Sequence, residues 1–520
     1  MTSSQESEIS TSPGTPERPD SPASPNFKTH NPPNSEPIHR RTQIIRRHST
    51  DSALHSPLPP ACSSPSAEHP SYTASPVLFL ARNLLGIDNG NTSDGLEDAL
   101  SVATKRRGVY NLIQVPMRLE RLITLGQVIC LDEFLTLFTY LPLRVVLSFI
   151  RLFNPYSFKK ARPTSSSSQY RTCCITWAVD TLHLTLLIIT SLSLRFFDIS
   201  WIYHNIRGQS VIKLYVVFNV IEIFDRLCSS FGVDILDSLG WTTASAVQFY
   251  TRQHTDTNSS AIRARALQGL VLVSRVAFDY TFALIYIMIH ATLLLTWVVT
   301  LNVAINTQNN ALLTLLVSNN FVELKGAVFK SFKVQNLFQI ACSDAVERFQ
   351  LCVFLVVMLI VTNADEKLFT TFFVIVVCEV IVDWVKHAFV TKFNRISPNV
   401  YRQFVLVICD DIARSKSQSV VRSIGGSGIS KRIGFVCLPL AALFTRMSIG
   451  PFLGLPKVGM LALWSSLVAI KTAVSISLIG HSWRRTRDSR SSVEDASEGD
   501  ATWVQKLMQV ERYDLISKNA

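Results

Sequence analysis

Charge is scarce in this sequence. Asp, Glu, Lys and Arg supply 17% of its 520 residues, whereas 48% are hydrophobic. With a mean hydropathy of +0.25, that balance excludes a wholly disordered or ordinary soluble chain and describes a polytopic membrane protein with polar tails. The ten cysteines contain no C-x-x-C pair, and Cys130, Cys173, Cys174, Cys352, Cys378 and Cys437 lie in apolar runs. Neither a zinc site nor a disulfide framework is expected. The first 70 residues hold no apolar h-region, so no cleavable signal peptide is expected and insertion relies on the first membrane segments.

Catalytic strings are missing too. There is no H-E-x-x-H, G-x-S-x-G, G-x-x-x-x-G-K-[ST] or G-x-G-x-x-G, and no histidine has an aspartate five positions on. The sequence therefore predicts no enzyme and no cofactor. Gly425-Gly426-Ser427-Gly428 reads as a linker. A net charge of +12 is spread through tails and loops beside apolar segments, which suits anionic leaflets rather than nucleic acid.

What is present is a run of apolar helices between two polar tails. The expected domains are a disordered Ser/Pro-rich cytosolic tail over 1–108, a multispanning helical domain over 109–483 and a cytosolic tail over 484–520. The first tail carries seven Ser/Thr-Pro pairs, a basophilic phosphorylation candidate at Ser49 after Arg46-Arg47-His48, and a short amphipathic patch over 77–88. The fold class is all-α, with about six to eight membrane segments. Clear spans are expected over 173–194, 280–305, 351–364, 369–385, 433–449 and 460–479. Region 112–153, interrupted by Asp132-Glu133 and Pro142, reads as a re-entrant hairpin or kinked helix. Residues 211–228 read as a helix buried against protein or lying in the interface. Basic residues after 385 and after 483 place those segments, and with a hairpin both tails, in the cytosol. The loop over 195–279 is then lumenal, and glycosylation at Asn258 in Asn258-Ser259-Ser260 would mark it.

Candidate site residues are the polar groups inside the apolar runs. Glu379 and Asp383 are four apart on one helix face, and Lys386 and His387 follow as partners for Asp383 and as interfacial anchors. Asp180 and His183, one turn apart, are positioned to hydrogen-bond each other. Glu222 and Arg226 form a natural i,i+4 pair. Asn302, Asn306, Asn309 and Asn310 make an amide stripe that must face another helix or a wet groove. For all of these, an ion pathway, a catalytic acid, a polar cavity and simple locking of helices remain open.

Four strings carry a resemblance: LDEFLTLFTYLPLR over 131–144, HNIRGQSVIKLYVVFNVIEIFDRLCSSFGVDILDSL over 204–239, TLNVAINTQNNALLTLLVSNNFVELKGAVFKSF over 300–332 with ERFQL over 347–351, and EVIVDWVKHAFVTKFN over 379–394. With KRIGFVCLPLA over 431–441, they resemble the transmembrane anterior posterior transformation protein family, across roughly 110–480. The resemblance implies an endoplasmic-reticulum multispanning protein without established catalytic residues. It links relatives to protein folding, secretory trafficking, ciliogenesis and development, and the amide stripe, the carboxylate pair and the lack of catalytic strings fit a non-catalytic scaffold or adaptor supporting folding, quality control or trafficking of membrane and secretory proteins. The partners it implies are the bilayer, a SUN-like-domain membrane glycoprotein and client proteins. A transporter or channel using intramembrane Asp, Glu and His, or a lipid-modifying enzyme, are the alternatives.

Overall fold

The structure, a computed structural model, describes residues 92–153, 166–251, 259–306, 322–362, 366–417 and 432–493, apart from 323, 327, 329 and 455. Among them the chain forms helices and no strand. They are α1 Thr92–Phe138, α2 Tyr140–Phe153, α3 Ser166–Ser193, α4 Ile199–Arg207, α5 Val211–Thr251, α6 Ser259–Asn306, α7 Val334–Thr362, α8 Glu366–Phe393, α9 Asn399–Ser417, α10 Cys437–Leu453 and α11 Lys457–Val493. A 3-10 turn, Leu194–Phe196, joins α3 to α4. Helix α1 starts within the segment expected as tail, and α11 runs past residue 483. Ser49, the 77–88 patch, Asn258, Asn309 and Asn310 lie outside the described residues.

Three described helices are long and apolar enough to cross a membrane: Arg171–Phe196, Arg263–Asn306 and Lys457–Asp488. Val109–Phe138 and Tyr140–Ile150 make a fourth if that pair, bent by 43°, is one span. The bend is the expected kink, and proline chemistry explains it. Pro142 has no N–H to give the Phe138 carbonyl, one turn back, and its ring crowds that carbonyl. The Phe138 oxygen instead accepts from Trp464 Nε1 of α11 at 3.2 Å.

Of the expected spans over 351–364 and 369–385, residues 351–362 and 369–385 are helical, as parts of α7 and α8, and 363–364 lie outside the described residues; neither is among the three apolar spans, because charges interrupt these helices. The expected span over 433–449 is a shorter apolar helix, Cys437–Gly450. Leu438, Leu440, Ala441, Ala442 and Leu443 are buried there, as suits a core helix of that length.

Helix α1 is the hub, packing on α7, α8, α9 and α11, while α5 and α6 lie along each other. Phe134 of α1 meets Phe349 of α7 and Phe444 of α10 edge to face, at 5.9 and 5.6 Å between centroids. Gly126 lets α1 approach α7, since a β-carbon there would lie 2.7 Å from Ala345 Cβ. Lipid tails give no hydrophobic drive between helices, so such small-residue contacts and polar bonds hold a membrane bundle together.

Candidate functional site

A buried polar network joins α1, α7, α8 and α9. Helix α8 contributes Asp383, Lys386 and His387, which cover one side of the helix at i, i+3 and i+4. Helix α7 answers with Asp344 and Arg348, four apart. Arg348 Nε donates to Asp383 at 2.8 Å and its Nη1 to Glu120 of α1 at 2.8 Å. Glu120 also accepts from Trp384 Nε1 at 2.6 Å. The Lys386 ammonium lies 2.9 Å from Asp344 and 2.8 Å from Asp383, bridging two carboxylates on two helices.

His387 contacts Asp344 through Nε2 at 2.9 Å and the Tyr401 hydroxyl of α9 through Nδ1 at 2.8 Å. With the ring proton assigned to Nε2, imidazole donates to the carboxylate and accepts from the phenol. The order carboxylate, imidazole, hydroxyl is that of a proton relay. Yet His387 and Tyr401 are fully buried, so the hydroxyl is closed off from the protein surface here. Arg348 Nη2 is buried with no hydrogen-bond partner among the described residues.

These positions correct one expectation. Lys386 and His387 are not interfacial anchors; at 1% and 0% exposure they are inside the bundle. Asp344 draws both of them inward, so Lys386 does not belong in a count of surface charge. Asp383 does take Lys386 as partner, and adds Arg348. Glu379 is half-buried on the same helix and has a partner of its own.

The other candidates do not join this network. Asp180 bonds Arg144 of α2, not His183: Arg144 Nε donates to it at 2.9 Å and Nη2 closes the second arm of the fork. A guanidinium matches both carboxylate oxygens at once, which one imidazole nitrogen cannot do. Glu222 and Arg226 pair at 2.9 Å as expected, and Arg226 continues to Glu347 of α7 at 3.2 Å. Asn306 Nδ2 donates to Asn302 at 2.5 Å in an exposed position, so that part of the amide stripe bonds along its own helix.

Three more polar links lie away from this network. His290 Nε2 lies 2.8 Å from Asp225, and the Tyr286 hydroxyl, 3.0 Å from His290 Nδ1, donates to the Cys228 carbonyl at 2.9 Å. Lys471 of α11 pairs with Asp132 of α1 at 2.6 Å, and Ser475 donates to the same carboxylate at 2.6 Å. In α9, outside the spans, Asp411 is pushed up to about 6 by burial, against the pull of Arg432, with Asp410 adding to the rise. Asp344, Arg348, Glu120 and Tyr401 were missed in the sequence. The i,i+4 spacing that marks Glu379 and Asp383 also marks Asp344 and Arg348, and was the available signal.

Residues 176–487 match the Eukaryotic membrane protein family. The transmembrane anterior posterior transformation protein 1 homolog of Xenopus laevis is 37% identical over 74% of this chain and 67% of its own length. The chain belongs to the transmembrane anterior posterior transformation protein family. Within that family, the protein TAPT1 homolog of Dictyostelium discoideum is 38% identical over 77% of this chain and 47% of its own. The endoplasmic reticulum membrane protein 65 of Schizosaccharomyces pombe is similar at 35% identity, over 66% of this chain and 53% of its own. The chain thus spans about half to two thirds of these relatives' length. No solved structure matches. The match includes α7 and α8, so the Asp344, Arg348, Asp383, Lys386 and His387 part of the network lies in the family region.

Proposed function

We propose that this family member is a non-catalytic scaffold or adaptor of the endoplasmic-reticulum membrane, whose intramembrane charges fix helix positions so that its outer faces can hold another membrane or secretory protein. The observation that carries this reading is the pairing of buried charge. Asp180, Asp225, Asp344, Arg348, Asp383, Lys386, Asp410 and Lys471 are buried, and each faces an oppositely charged group or histidine within the described helices. A pathway for ions needs polar groups open to a wet cavity, whereas a lock needs them satisfied by one another.

The residence follows the name of the fission-yeast relative, endoplasmic reticulum membrane protein 65, and a developmental role follows the names of the vertebrate ones. The partner proposed is a SUN-like-domain membrane glycoprotein, with folding or trafficking clients and a contribution to ciliogenesis.

Affinity purification of tagged full-length protein in mild detergent, with mass spectrometry, tests this. Wild type should retain the SUN-like-domain glycoprotein, and Asp383→Asn should lose it while proteoliposomes of both proteins carry no ion flux. An ion flux in wild type that Asp383→Asn abolishes would favour the transporter and sink the scaffold.

A further inference from the structure

Where the span Arg171–Phe196 ends, the chain turns through α4 and leaves a groove of about 910 Å³ between α4, the start of α5 and the last third of α6. That volume lies near the top of the roughly 300–1,000 Å³ of small-molecule sites. Phe197, Trp201, Ile202, Leu214 and Val217 give it apolar walls, and Phe196 and Trp201 are 91% and 67% exposed at its mouth. Tryptophan, with an apolar ring and a polar N–H, gathers at the level of lipid headgroups.

The polar groups in the lining are mostly committed elsewhere. Thr292 and Thr296 donate their hydroxyls to carbonyls one turn back, at 2.8 and 2.9 Å, so they add little free hydrogen-bonding capacity. Asp198 caps α4 by accepting from the Ser200 N–H at 2.9 Å. Gln209 Nε2 folds back onto the Asn205 carbonyl at 3.3 Å. The exposed Lys213 ammonium makes no hydrogen bond or ion pair with the described residues. Arg195, next to the lining residue Phe196, and Arg207, between the lining residues Ile206 and Gln209, are also exposed.

A peptide laid here would bring many backbone N–H and C=O groups against walls that are mainly apolar and could pair with few of them, and each group left unsatisfied is unfavourable. An acyl chain brings none. We propose that this groove holds one acyl chain of an anionic glycerophospholipid, with its phosphate on Lys213, and the exposed Arg195 and Arg207, next to lining residues in the sequence, favouring negative headgroups. The proposal does not depend on the scaffold reading, since none of these residues belongs to the charge network.

The test uses full-length protein in phosphatidylcholine nanodiscs doped with a phosphatidylserine that carries a photoactivatable acyl terminus, followed by peptide mapping. Label should concentrate on residues 196–217 relative to the exposed apolar residues Leu461, Ile470 and Ile476 of α11. Lys213→Gln should lower that label about fivefold, the worth of one basic residue at a charged membrane surface, and Lys213→Arg should keep it. A photoactivatable phosphatidylcholine at the same fraction should label the groove weakly. The proposal fails if label is as dense on α11 as in the groove, which means ordinary boundary lipid. It fails equally if Lys213→Gln changes nothing, or if a photocrosslinker at Trp201 captures a protein and the lipid label disappears.

Discussion

Gly232 of α5 leaves room for the ring of Tyr286 on α6. A β-carbon at Gly232 would fall 2.6 Å from the ring carbon Cζ, with Val436 Cγ2 at 2.9 Å on another side. The ring is held in place by its hydroxyl, which bonds the Cys228 carbonyl and His290.

Gly232→Ala should therefore destabilise the α5–α6 pair by about 1–3 kcal/mol, the usual cost of overpacking. Tyr286→Phe should not rescue it, because the clash involves the ring as well as the hydroxyl. Thermal unfolding of the detergent-solubilised variants reads both effects. A neutral Gly232→Ala would mean that the two helices separate easily.

The Lys386 bridge predicts strong coupling. Removing one member of a buried ion pair costs about 3–5 kcal/mol because the other charge is left in low dielectric. Lys386→Met and Asp383→Asn should each destabilise, and the double variant should lose less than their sum, by about 1–3 kcal/mol. Denaturation of the four proteins in one detergent completes the cycle. Additive losses would show that the two side chains act separately.

Asp411 predicts a pH dependence outside the membrane spans. Its carboxyl rises from 3.8 to about 6 in the fold, chiefly through burial, so the folded state holds the proton more tightly than the unfolded one. Its contribution is complete below about pH 4 and disappears as pH climbs through 6, a change of up to about 3 kcal/mol. Asp411→Asn mimics the protonated group. It should raise the melting temperature relative to wild type at pH 7.5 more than at pH 5, even after loss of the Arg432 contact. An equal effect at both pH values would remove Asp411 as the source.

Local spacing already contains some of these polar pairs. Glu222 with Arg226 and Asp383 with Lys386 are four and three residues apart, and a helix alone brings such pairs together. The apolar runs likewise specify helices and a membrane setting, and Pro142 marks the bend, because these depend on composition, period and backbone chemistry within one segment. The same reasoning fails where two helices compete for one group. Asp180 had His183 one turn away, yet Arg144 takes it from α2 because the fork satisfies both oxygens.

Only the tertiary structure decided the rest of the network. Asp344 meets Lys386 and His387 from 42 and 43 residues away, and Arg348 reaches Glu120 across 228. No periodicity states which face of α7 turns toward α8, or that α1 passes beside both. The sequence by itself determined that charges would be few, helical and in need of partners. Packing decided which partners they found, because a buried charge in a membrane bundle is satisfied by whichever opposite group the neighbouring helix brings within hydrogen-bond distance.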